Sequence, residues 1–367
     1  MSNLTELFGT GNNAYFSNGP ITRLSFLRTD HKLLNATSTH SSTKYLTFDN
    51  LSPLSKDGEF VFLGYEDVQN LIGRPYEKNE KTLSNEFDPS ISPPTLIFLG
   101  LDLDQDKNAV QLEKYSGTAY FALDVSNKEA FKKTQTDLGH AYKDNRINLT
   151  LSQPSSAILS HSRSLLDWNK RNLFCSSCGG KTMSTHAGAK VICPPSTGRN
   201  CPTRIGLHNQ AFPRTDPTAI IAPISYDSKR VLLGRNRRWP ENYFSALSGF
   251  VEPGESIEQA VRREAYEEAG VKIDRVQIHS TQPWPYPSTL LIGAMGQCFE
   301  GCEDVTYPET ELEEAKWFTL PEIARALDEG ANAMWEPPIK GYVGPRVPPQ
   351  QLMAHQVLRG VLKLFHR

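Results

Sequence analysis

The sequence has no long apolar run. Its 367 residues include no stretch of about 18 uninterrupted apolar residues, the length that a membrane-spanning helix requires. Met1–Pro20 also lacks the basic segment followed by an apolar one that marks a secretory signal. We therefore expect an intracellular, cytoplasmic protein without a membrane partner. The chain ends in Phe365-His366-Arg367, which differs from a peroxisomal tripeptide of the Ser-Lys-Leu kind, so the peroxisome is only the alternative location.

The sequence has little net charge and few cysteines. The formal net charge is only −2, so the composition demands neither a nucleic acid nor a membrane surface as partner. Six cysteines are too few for a disulfide scaffold in a chain of this length. Four of the six lie between Cys175 and Cys201, and this clustering indicates a metal site.

The length exceeds that of one ordinary domain, and we predict an α+β multidomain protein. Residues 1–165 are predicted to form an N-terminal β-rich domain with a structural or dimer-forming role. Within it Asn35–Lys44, rich in Ser, Thr and Asn, is expected to be irregular. Apolar segments predict strands at Glu59–Leu63, Thr95–Leu101 and Thr118–Val125.

Two further domains are predicted after the first. Apolar spacing predicts a bridging helix over Pro154–Leu173, and the helix end with the cysteine cluster forms a small module over residues 166–212. Residues 213–367 form the last domain. Its predicted elements are the hairpin strands Ala219–Ile224 and Arg230–Leu233, a helix after Gly254, strands Val276–Ser280 and Thr289–Cys298, and a helix over Gln350–Phe365.

The segment Gly249–Val271 contains a loop followed by a helix with clear end signals. Pro253-Gly254 favours a turn, Ser256 is a suitable N-cap, and Gly270 stands where a left-handed residue ends a helix. On this helix Glu264, Glu267 and Glu268 are spaced i, i+3 and i+4, so their carboxylates share one face.

Three like charges so close repel one another unless a cation lies between them. Carboxylate oxygens favour hard ions such as Mg²⁺ or Mn²⁺. Arg263 is placed to pair with Glu267 or to reach back to Glu255. The competing interpretation is a solvated acidic helix face, which is the commoner meaning of a Glu-x-x-Glu-Glu spacing alone.

The whole segment matches Gly-x5-Glu-x7-Arg-Glu-U-x-Glu-Glu-x-Gly-U, where U is bulky aliphatic or Ala, at every fixed position. It resembles the Nudix box. The resemblance implies an α/β/α sandwich that holds divalent metals against a substrate diphosphate, with Glu264, Glu267, Glu268 and the backbone carbonyl of Ser248 as ligands. The cations neutralise developing charge and acidify the attacking water, and Glu267 or Glu268 takes its proton.

A second segment, Thr281–Ser288, holds three prolines and two aromatic residues, and we expect a stiff loop. On residue types alone this loop is equally a pocket wall for a flat ring or a packed structural corner. It resembles the Ser-Gln-Pro-Trp-Pro-Phe-Pro-x-Ser signature of the NADH pyrophosphatase subgroup, with departures at Thr281 and Tyr286. The resemblance implies that this array contacts the substrate through Gln282, Pro283, Trp284, Pro285, Tyr286, Pro287 and Ser288.

The similarity covers about Leu166–Leu364 and implies further roles. Phe212, in a Phe-Pro-Arg-Thr-Asp-Pro segment, and Phe250 match aromatic positions that stack on a base. Glu311 matches an additional metal-binding Glu, for which a solvated acidic turn is the alternative. Ala354 matches a backbone position that contacts substrate. Family members are commonly homodimers.

The resemblance implies hydrolysis of NADH, and of NAD⁺, to AMP and reduced or oxidised nicotinamide mononucleotide. One alternative is a Nudix hydrolase that acts on ADP-ribose, dinucleoside polyphosphates or the 5′ end of NAD-capped RNA. Another is a catalytically inert zinc-ribbon protein that binds nucleic acid or acts as a scaffold. No dense Lys/Arg patch accompanies the cysteines, which disfavours the last reading.

The cysteine cluster predicts one structural Zn²⁺ in a small zinc ribbon. Cys175-Ser176-Ser177-Cys178 brings two sulfurs to one point, and Cys193 with Cys201 supplies two more for a closed tetrahedral site. Seven residues separate the second pair, where the family usually has a short gap, so His186 or His208 is an alternative to Cys201. Cys298 and Cys302 receive no role.

Overall fold

The computed structural model describes residues 14–103, 109–112, 115–143, 147, 149–198, 200–205 and 212–365. The chain divides into two compact units. The N-terminal unit spans residues 18–214 with Pro285–Pro287, and the C-terminal unit spans the chain up to Ser17, Thr215–Trp284 and Ser288 onward. The predicted division into three domains stays a prediction. No helix in the described ranges is long and apolar enough to cross a membrane.

The N-terminal unit is built on a nine-stranded sheet with the order β1-β6-β8-β2-β3-β4, to which β5, β7 and β9 pair at the sides. Its core consists of apolar side chains from the strands and the helices, such as Tyr45, Phe98 and Phe121 of the strands. The strands are β1 Ile21–Thr22, β2 Lys44–Asp49, β3 Ser52–Lys56, β4 Glu59–Phe60, β5 Phe62–Leu63, β6 Leu96–Asp102, β7 Val110–Leu112, β8 Tyr115–Asp124 and β9 Ala141–Tyr142. The helices are α1 His31–Ser38, α2 Tyr65–Ile72, α3 Glu80–Asn85, α4 Glu129–Asp137 and α5 Gln153–Arg171.

The prediction that the N-terminal region is rich in β-strands is confirmed. The prediction that Asn35–Lys44 is irregular is wrong. Asn35–Lys44 instead contains the end of α1 and the first residue of β2. Asp30 caps α1 by accepting hydrogen bonds from the backbone N–H groups of Lys32 and Leu33. The hydroxyl of Thr37 donates to the carbonyl of Leu33 at 2.9 Å, so polar residues that disfavour helices are accommodated by local hydrogen bonds.

The helix predicted over Pro154–Leu173 is confirmed as α5, and a short hairpin follows it. The role of this helix as a bridge between domains stays a prediction. Strands β10 Met183–Thr185 and β11 Lys190–Ile192 pair antiparallel. Three 3₁₀ turns, His186–Gly188, Pro195–Thr197 and Pro202–Arg204, connect the rest of the cysteine-containing module. The hairpin and turns together form the ribbon that carries the four clustered cysteines.

The C-terminal unit is a mixed six-stranded sheet with the order β15-β16-β12-β13-β17, and β14 pairs β12. One face packs on α6 through a core that includes Val261 and Ala265. The other face packs on α7 and α8 through a core that includes Ile323 and Val357. The elements are β12 Asp216–Ile224, β13 Arg230–Asn236, β14 Leu247–Phe250, α6 Ile257–Ala269, β15 Ile273–Trp284, β16 Thr289–Cys298, β17 Leu312–Thr319, α7 Leu320–Glu329 and α8 Met353–Phe365. The implied α/β/α sandwich is confirmed.

Candidate active site and zinc centre

The helix α6 begins and ends at the residues that the sequence indicated. Gln259 N–H donates to the hydroxyl of Ser256 at 3.3 Å, and Ser256 N–H donates to the side-chain oxygen of Gln259 at 2.9 Å. This reciprocal pair is a capping box. Gly270 follows the helix with φ 75°, the left-handed conformation that glycine adopts without strain. These caps fix the helix against β14, where the preceding loop begins.

The three glutamates of α6 have graded exposure. Val261, Ala265 and Ala269 are buried against the sheet, and the glutamates lie beside this apolar stripe. Glu268 is only 5% exposed, whereas Glu264 and Glu267 are half-buried. Gly249 of β14 lies directly opposite Glu264, because a Cβ at Gly249 would overlap the Glu264 carboxylate. The backbone of β14 therefore approaches the carboxylates closely.

Arg263 contacts both Glu255 and Glu267, the two partners that the sequence presented as alternatives. Its Nε donates to Glu255 Oε1 at 2.7 Å, and its Nη1 donates to Glu267 Oε2 at 2.9 Å. Nη1 also donates to Glu264 Oε1 at 2.8 Å, and Nη2 donates to the carbonyl of Phe250 at 2.8 Å. The hydrogen bonds from Arg263 lower the pKa of Glu255 to about 2. One guanidinium thus links the loop to two of the helix carboxylates.

Burial and neighbouring negative charge act on Glu268. Burial, followed by the charges of Glu264 and Glu311, raises its pKa to about 8, although a hydrogen bond from the Ser248 backbone N–H acts in the opposite direction. Burial likewise raises the pKa of Glu264. A buried carboxylate among like charges is costly to ionise unless a cation compensates it.

Two acidic residues that precede β17 complete the cluster. Asn236 Nδ2 donates to Glu311 Oε1 at 3.4 Å, which holds Glu311 beside the end of β13. The backbone N–H of Glu309 donates to the carbonyl of Glu267 at 3.2 Å, and the Glu309 charge raises the pKa of Glu264 and Glu268. Glu309 was not predicted. Its only sequence signal is its position two residues before Glu311.

The donor set of this cluster fits hard divalent cations. The side-chain charges that raise the pKa of Glu268 are those of Glu264, Glu311 and Glu309, all of them carboxylates. Oxygen donors of this kind suit Mg²⁺ and Mn²⁺. Burial, followed by the charges of Glu264 and Glu311, raises the pKa of Glu268, and a bound cation would favour its ionised form. Glu264, Glu267, Glu268, Glu311 and the Ser248 carbonyl remain the predicted ligands.

The four clustered cysteines form a second candidate metal centre, in the N-terminal unit. The sulfurs of Cys175, Cys178, Cys193 and Cys201 all lie within 4.8 Å of one another. Cys175 Sγ is 3.7 Å from Cys201 Sγ, and Cys178 Sγ is 3.4 Å from Cys193 Sγ. A tetrahedral zinc with Zn–S bonds of about 2.3 Å separates its sulfurs by about 3.8 Å. The four thiols therefore fit Zn²⁺ with little adjustment.

The long gap between the last two cysteines is absorbed by a turn. The 3₁₀ turn Pro195–Thr197 ends at Gly198, whose φ of 68° reverses the chain, so Cys201 returns to the cluster. Cys201 rather than His186 completes the group, because His186 faces Glu80 at 3.9 Å. His208 lies outside the described residues. Arg204 Nη2 also lies 3.9 Å from Cys193 Sγ.

Comparison with known proteins decides the family. A model described as NUDIX domain matches residues 215–337. An NAD-capped RNA hydrolase of Schizosaccharomyces pombe is 32% identical over 333 residues, which cover 88% of this chain and 88% of that protein. The NAD-capped RNA hydrolase NUDT12 of Homo sapiens is 32% identical over 370 residues, covering 95% of this chain and 73% of that protein. The chain belongs to the Nudix family.

A further relative supports the subgroup. The mitochondrial NAD(P)H pyrophosphatase NUDT13 of Mus musculus is 30% identical over 251 residues, which cover 66% of this chain and 67% of that protein. The resemblance to the Nudix family and its NADH pyrophosphatase type is thereby confirmed. The carboxylate helix α6 with its preceding loop is the Nudix box of this chain.

The array downstream of the Nudix box is only partly a loop. Gln282, Pro283 and Trp284 form the end of β15 and pair with β16, so the predicted stiff loop over Thr281–Ser288 is wrong for its first half. Strand β15 is at the edge of the sheet, where a proline that lacks an N–H is tolerated. Only Pro285–Ser288 forms the turn between the strands.

Gln282 and Trp284 make packing contacts within the C-terminal unit. Gln282 is 1% exposed, and its Nε2 donates to the carbonyl of Gln351 at 2.7 Å. The ring of Trp284 meets the ring of Phe16 edge-on, with 5.7 Å between centroids. Substrate contact by Gln282, Pro283 and Trp284, and by Ser288 after them, stays a prediction.

The other predicted substrate residues are divided between the two units. Phe250 is 63% exposed beside the Nudix box, as a stacking residue must be, whereas Ala354 is buried near the start of α8. Phe212 belongs to the N-terminal unit, where Lys190 Nζ lies 5.4 Å from its ring centroid. Pro285, Tyr286 and Pro287 also group with that unit, and the Arg163 guanidinium lies 4.8 Å from the Tyr286 ring.

Replacing Arg263 by lysine tests whether the guanidinium organises the Nudix box. A lysine ammonium is a point charge and cannot reach Glu255, Glu267 and the Phe250 carbonyl together. We expect kcat/KM to fall by roughly 10- to 100-fold, as for other groups that orient metal ligands, and the Mg²⁺ concentration for half-maximal activity to rise. Arg262→Lys is the matched control, because the hydrogen bonds of Arg262 among the described residues go to the carbonyls of Glu258 and Asp274. Equal effects of both variants would contradict the assigned role.

Replacing Gly249 by alanine tests the close approach of β14 to the carboxylates. The added Cβ would overlap the Glu264 carboxylate and must displace it. We expect hydrolysis to fall by at least about tenfold, since misplacement of a catalytic group by about 1 Å costs up to 100-fold. Ser248→Ala in the same strand should retain activity, because the predicted ligand there is a backbone carbonyl. Full activity of Gly249→Ala would show that Glu264 is dispensable or free to move.

Proposed function

We propose that this chain is a metal-dependent diphosphatase that hydrolyses NADH and NAD⁺ to AMP and the corresponding nicotinamide mononucleotide. The observation that carries the proposal is the acidic cluster of the Nudix box, with Glu268 buried among Glu264, Glu309 and Glu311. The choice of a dinucleotide is supported by the Gln282-Pro283-Trp284-Pro285 array and by relatives named for NAD-capped RNA and NAD(P)H.

The chain's own side chains would prepare the reaction. Glu264, Glu267 and Glu268, with Glu311, would hold the cations, and Arg263 fixes the orientation of Glu264 and Glu267. The cations, when bound, neutralise charge on the diphosphate and acidify the attacking water. Glu267 or Glu268 would accept the proton of that water. Glu267 is the more accessible, with 37% of its side chain exposed.

The second candidate substrate is the NAD cap of an RNA 5′ end. Two relatives carry that activity in their names, and the bond cleaved is the same diphosphate. The acidic cluster serves both substrates equally, so only the group attached to the adenosine distinguishes them. ADP-ribose and dinucleoside polyphosphates offer the same diphosphate chemistry without a nicotinamide.

A comparison of kcat/KM decides among these substrates. NADH, NAD⁺, ADP-ribose, a dinucleoside polyphosphate and a short NAD-capped RNA would be incubated separately with Mg²⁺ or Mn²⁺, and the products resolved by chromatography. We expect AMP from NADH at the highest kcat/KM among the small molecules. A higher kcat/KM for ADP-ribose than for NADH would overturn the dinucleotide assignment. A preference for capped RNA would replace it with the second candidate.

A further inference from the structure

Arg163 of α5 donates to two backbone carbonyls and lies against an aromatic ring. Its Nε donates to the carbonyl of Pro285 at 2.9 Å, and its Nη1 donates to the carbonyl of Leu51 at 2.8 Å. Its Cζ lies 4.8 Å from the centroid of the Tyr286 ring, and all four residues belong to the N-terminal unit. We propose that Arg163 is a positioning residue that holds the turn segment Pro285–Pro287 in the conformation that selects a nicotinamide dinucleotide. This inference rests on the hydrolysis of NADH proposed above.

The turn that Arg163 contacts has few backbone donors of its own. Trp284 is the last residue of β15 and pairs with β16, so the four residues 285–288 close this hairpin. Pro285 and Pro287 are two of these four, and proline has no backbone N–H. Turns are commonly closed by hydrogen bonds from their own N–H groups to their own carbonyls. The bond from the Arg163 Nε instead supplies the Pro285 carbonyl with a donor from outside the turn.

The second carbonyl that Arg163 contacts, that of Leu51, comes from a strained turn. The loop Asn50-Leu51 joins β2 to β3, because Asp49 pairs with Ser52. Asn50 has φ 47° and Leu51 has φ 69°, so both are left-handed, as in a type I′ hairpin turn. Asparagine tolerates this conformation, whereas Leu51 stands where glycine is usual. Such strain persists only where surrounding contacts hold it, and the bond from Arg163 is one of these contacts.

The three contacts of Arg163 depend on the shape of the guanidinium. This group is planar, so it can donate hydrogen bonds from its edge while its face lies over an aromatic ring. Arg163 is half-buried, which limits competition from water for these contacts. A lysine ammonium is a compact charge without a planar fork, so lysine cannot make all three contacts. Arg163 therefore fixes both the backbone of Pro285 and the ring of Tyr286.

The turn bears on the choice between NADH and ADP-ribose. Both substrates contain adenosine, the diphosphate and a second ribose, and NADH adds the nicotinamide ring. A part of the protein that distinguishes the two substrates must therefore act at the nicotinamide end. The array of residues 282–288 is the feature of this chain that favours a dinucleotide, and Tyr286 supplies a flat ring within it. A ring that is already held in place loses less conformational freedom on binding, so Arg163 acts on substrate affinity rather than on the chemical step.

The test measures kcat and KM of the full chain with Mg²⁺, for NADH and for ADP-ribose, in the wild type and in Arg163→Lys. We expect Arg163→Lys to raise KM for NADH about tenfold and to leave kcat within about twofold. KM for ADP-ribose should change by less than about twofold, because this substrate lacks the nicotinamide. Tyr286→Leu removes the ring from the same contact. The double variant Arg163→Lys/Tyr286→Leu should therefore raise KM for NADH no further than the larger single effect.

Lys170→Ala is the matched control for Arg163→Lys. Lys170 lies two turns further along α5, and its Nζ donates to Asn50 Oδ1 at 2.9 Å. Its replacement breaks a bond between α5 and the Asn50-Leu51 loop but leaves the bond from Arg163 to Pro285 in place. We therefore expect wild-type KM values for both substrates in Lys170→Ala.

The outcomes separate this inference from the proposed function. A wild-type KM for NADH in Arg163→Lys, or an equal rise for NADH and ADP-ribose, would overturn the role of Arg163 and leave the hydrolysis of NADH standing. A wild type that does not hydrolyse NADH would overturn the proposed function, and this inference with it. Thermal unfolding checks that each variant is folded, and Tyr286→Leu carries the same comparison of substrates if Arg163→Lys does not fold.

Discussion

Replacing Glu268 by glutamine should remove hydrolysis and leave the fold at least as stable as the wild type without metal. Glutamine keeps the volume and an oxygen for the Ser248 N–H but loses the charge that a cation requires. Stabilisation of transition-state charge by cations is worth several kcal/mol, and each 1.4 kcal/mol is tenfold in rate, so we expect kcat to fall by about 10³-fold. Burial and the charges of Glu264 and Glu311 oppose ionisation at this position, and glutamine has no ionised form. Kinetics and thermal unfolding with and without Mg²⁺ measure both effects.

A matched control comes from the same helix. Glu258 lies in the first turn of α6 and is half-buried away from the acidic cluster, so Glu258→Gln should retain most of the activity. In the wild type Mg²⁺ should raise the Tm, because it binds the folded state, and this rise should be absent in Glu268→Gln. A Glu268→Gln variant that hydrolyses NADH at the wild-type rate would remove Glu268 from the ligand set.

Replacing Cys201 by serine should release zinc and destabilise the ribbon. The four sulfurs lie within 4.8 Å of one another, and few apolar contacts hold this segment, whose core cluster consists of the cysteines themselves. Structural zinc contributes about 10 kcal/mol or more of apparent binding free energy in small domains. We expect zinc content near one per wild-type chain and near zero in the variant, with a Tm lower by several degrees or more.

The control for this experiment is Cys302→Ser. Cys302 belongs to the C-terminal unit and is not a member of the cluster, so its loss should leave zinc content and Tm unchanged. Metal content is measured by atomic emission on dialysed protein. Full zinc occupancy in Cys201→Ser would show that another residue, such as His186 or His208, completes the site.

The sequence predicts the parts of this molecule that depend on local signals. Ser256 and Gly270 cap α6 as expected, because capping needs only residues adjacent to the helix end. The cysteine cluster was also predictable, since metal ligands are few in type and close in sequence. The helix over Asn35–Ser38 was missed because Ser, Thr and Asn disfavour helices locally, and the burial of Leu33 and Leu34 is a tertiary effect.

The remaining differences arise from contacts between residues far apart in sequence. Proline spacing suggested a loop at Gln282–Trp284, but pairing with β16 extends the edge strand through it. Arg263 donates hydrogen bonds to both Glu255 and Glu267, although their spacing in the sequence presents them as alternative partners. Glu309 joins the acidic cluster through its backbone bond to Glu267, a contact that no local pattern records.

The most direct test of the proposed reaction is the release of AMP from NADH by the wild type and by Glu267→Gln, with Mg²⁺ and with chelator. We expect AMP and reduced nicotinamide mononucleotide in equal amounts, formed by the wild type only when the cation is present and reduced by orders of magnitude in the variant. Metal-independent AMP release, or equal release by the variant, would contradict catalysis by the acidic cluster of α6. The absence of AMP from folded, zinc-loaded wild type would contradict the NADH assignment itself.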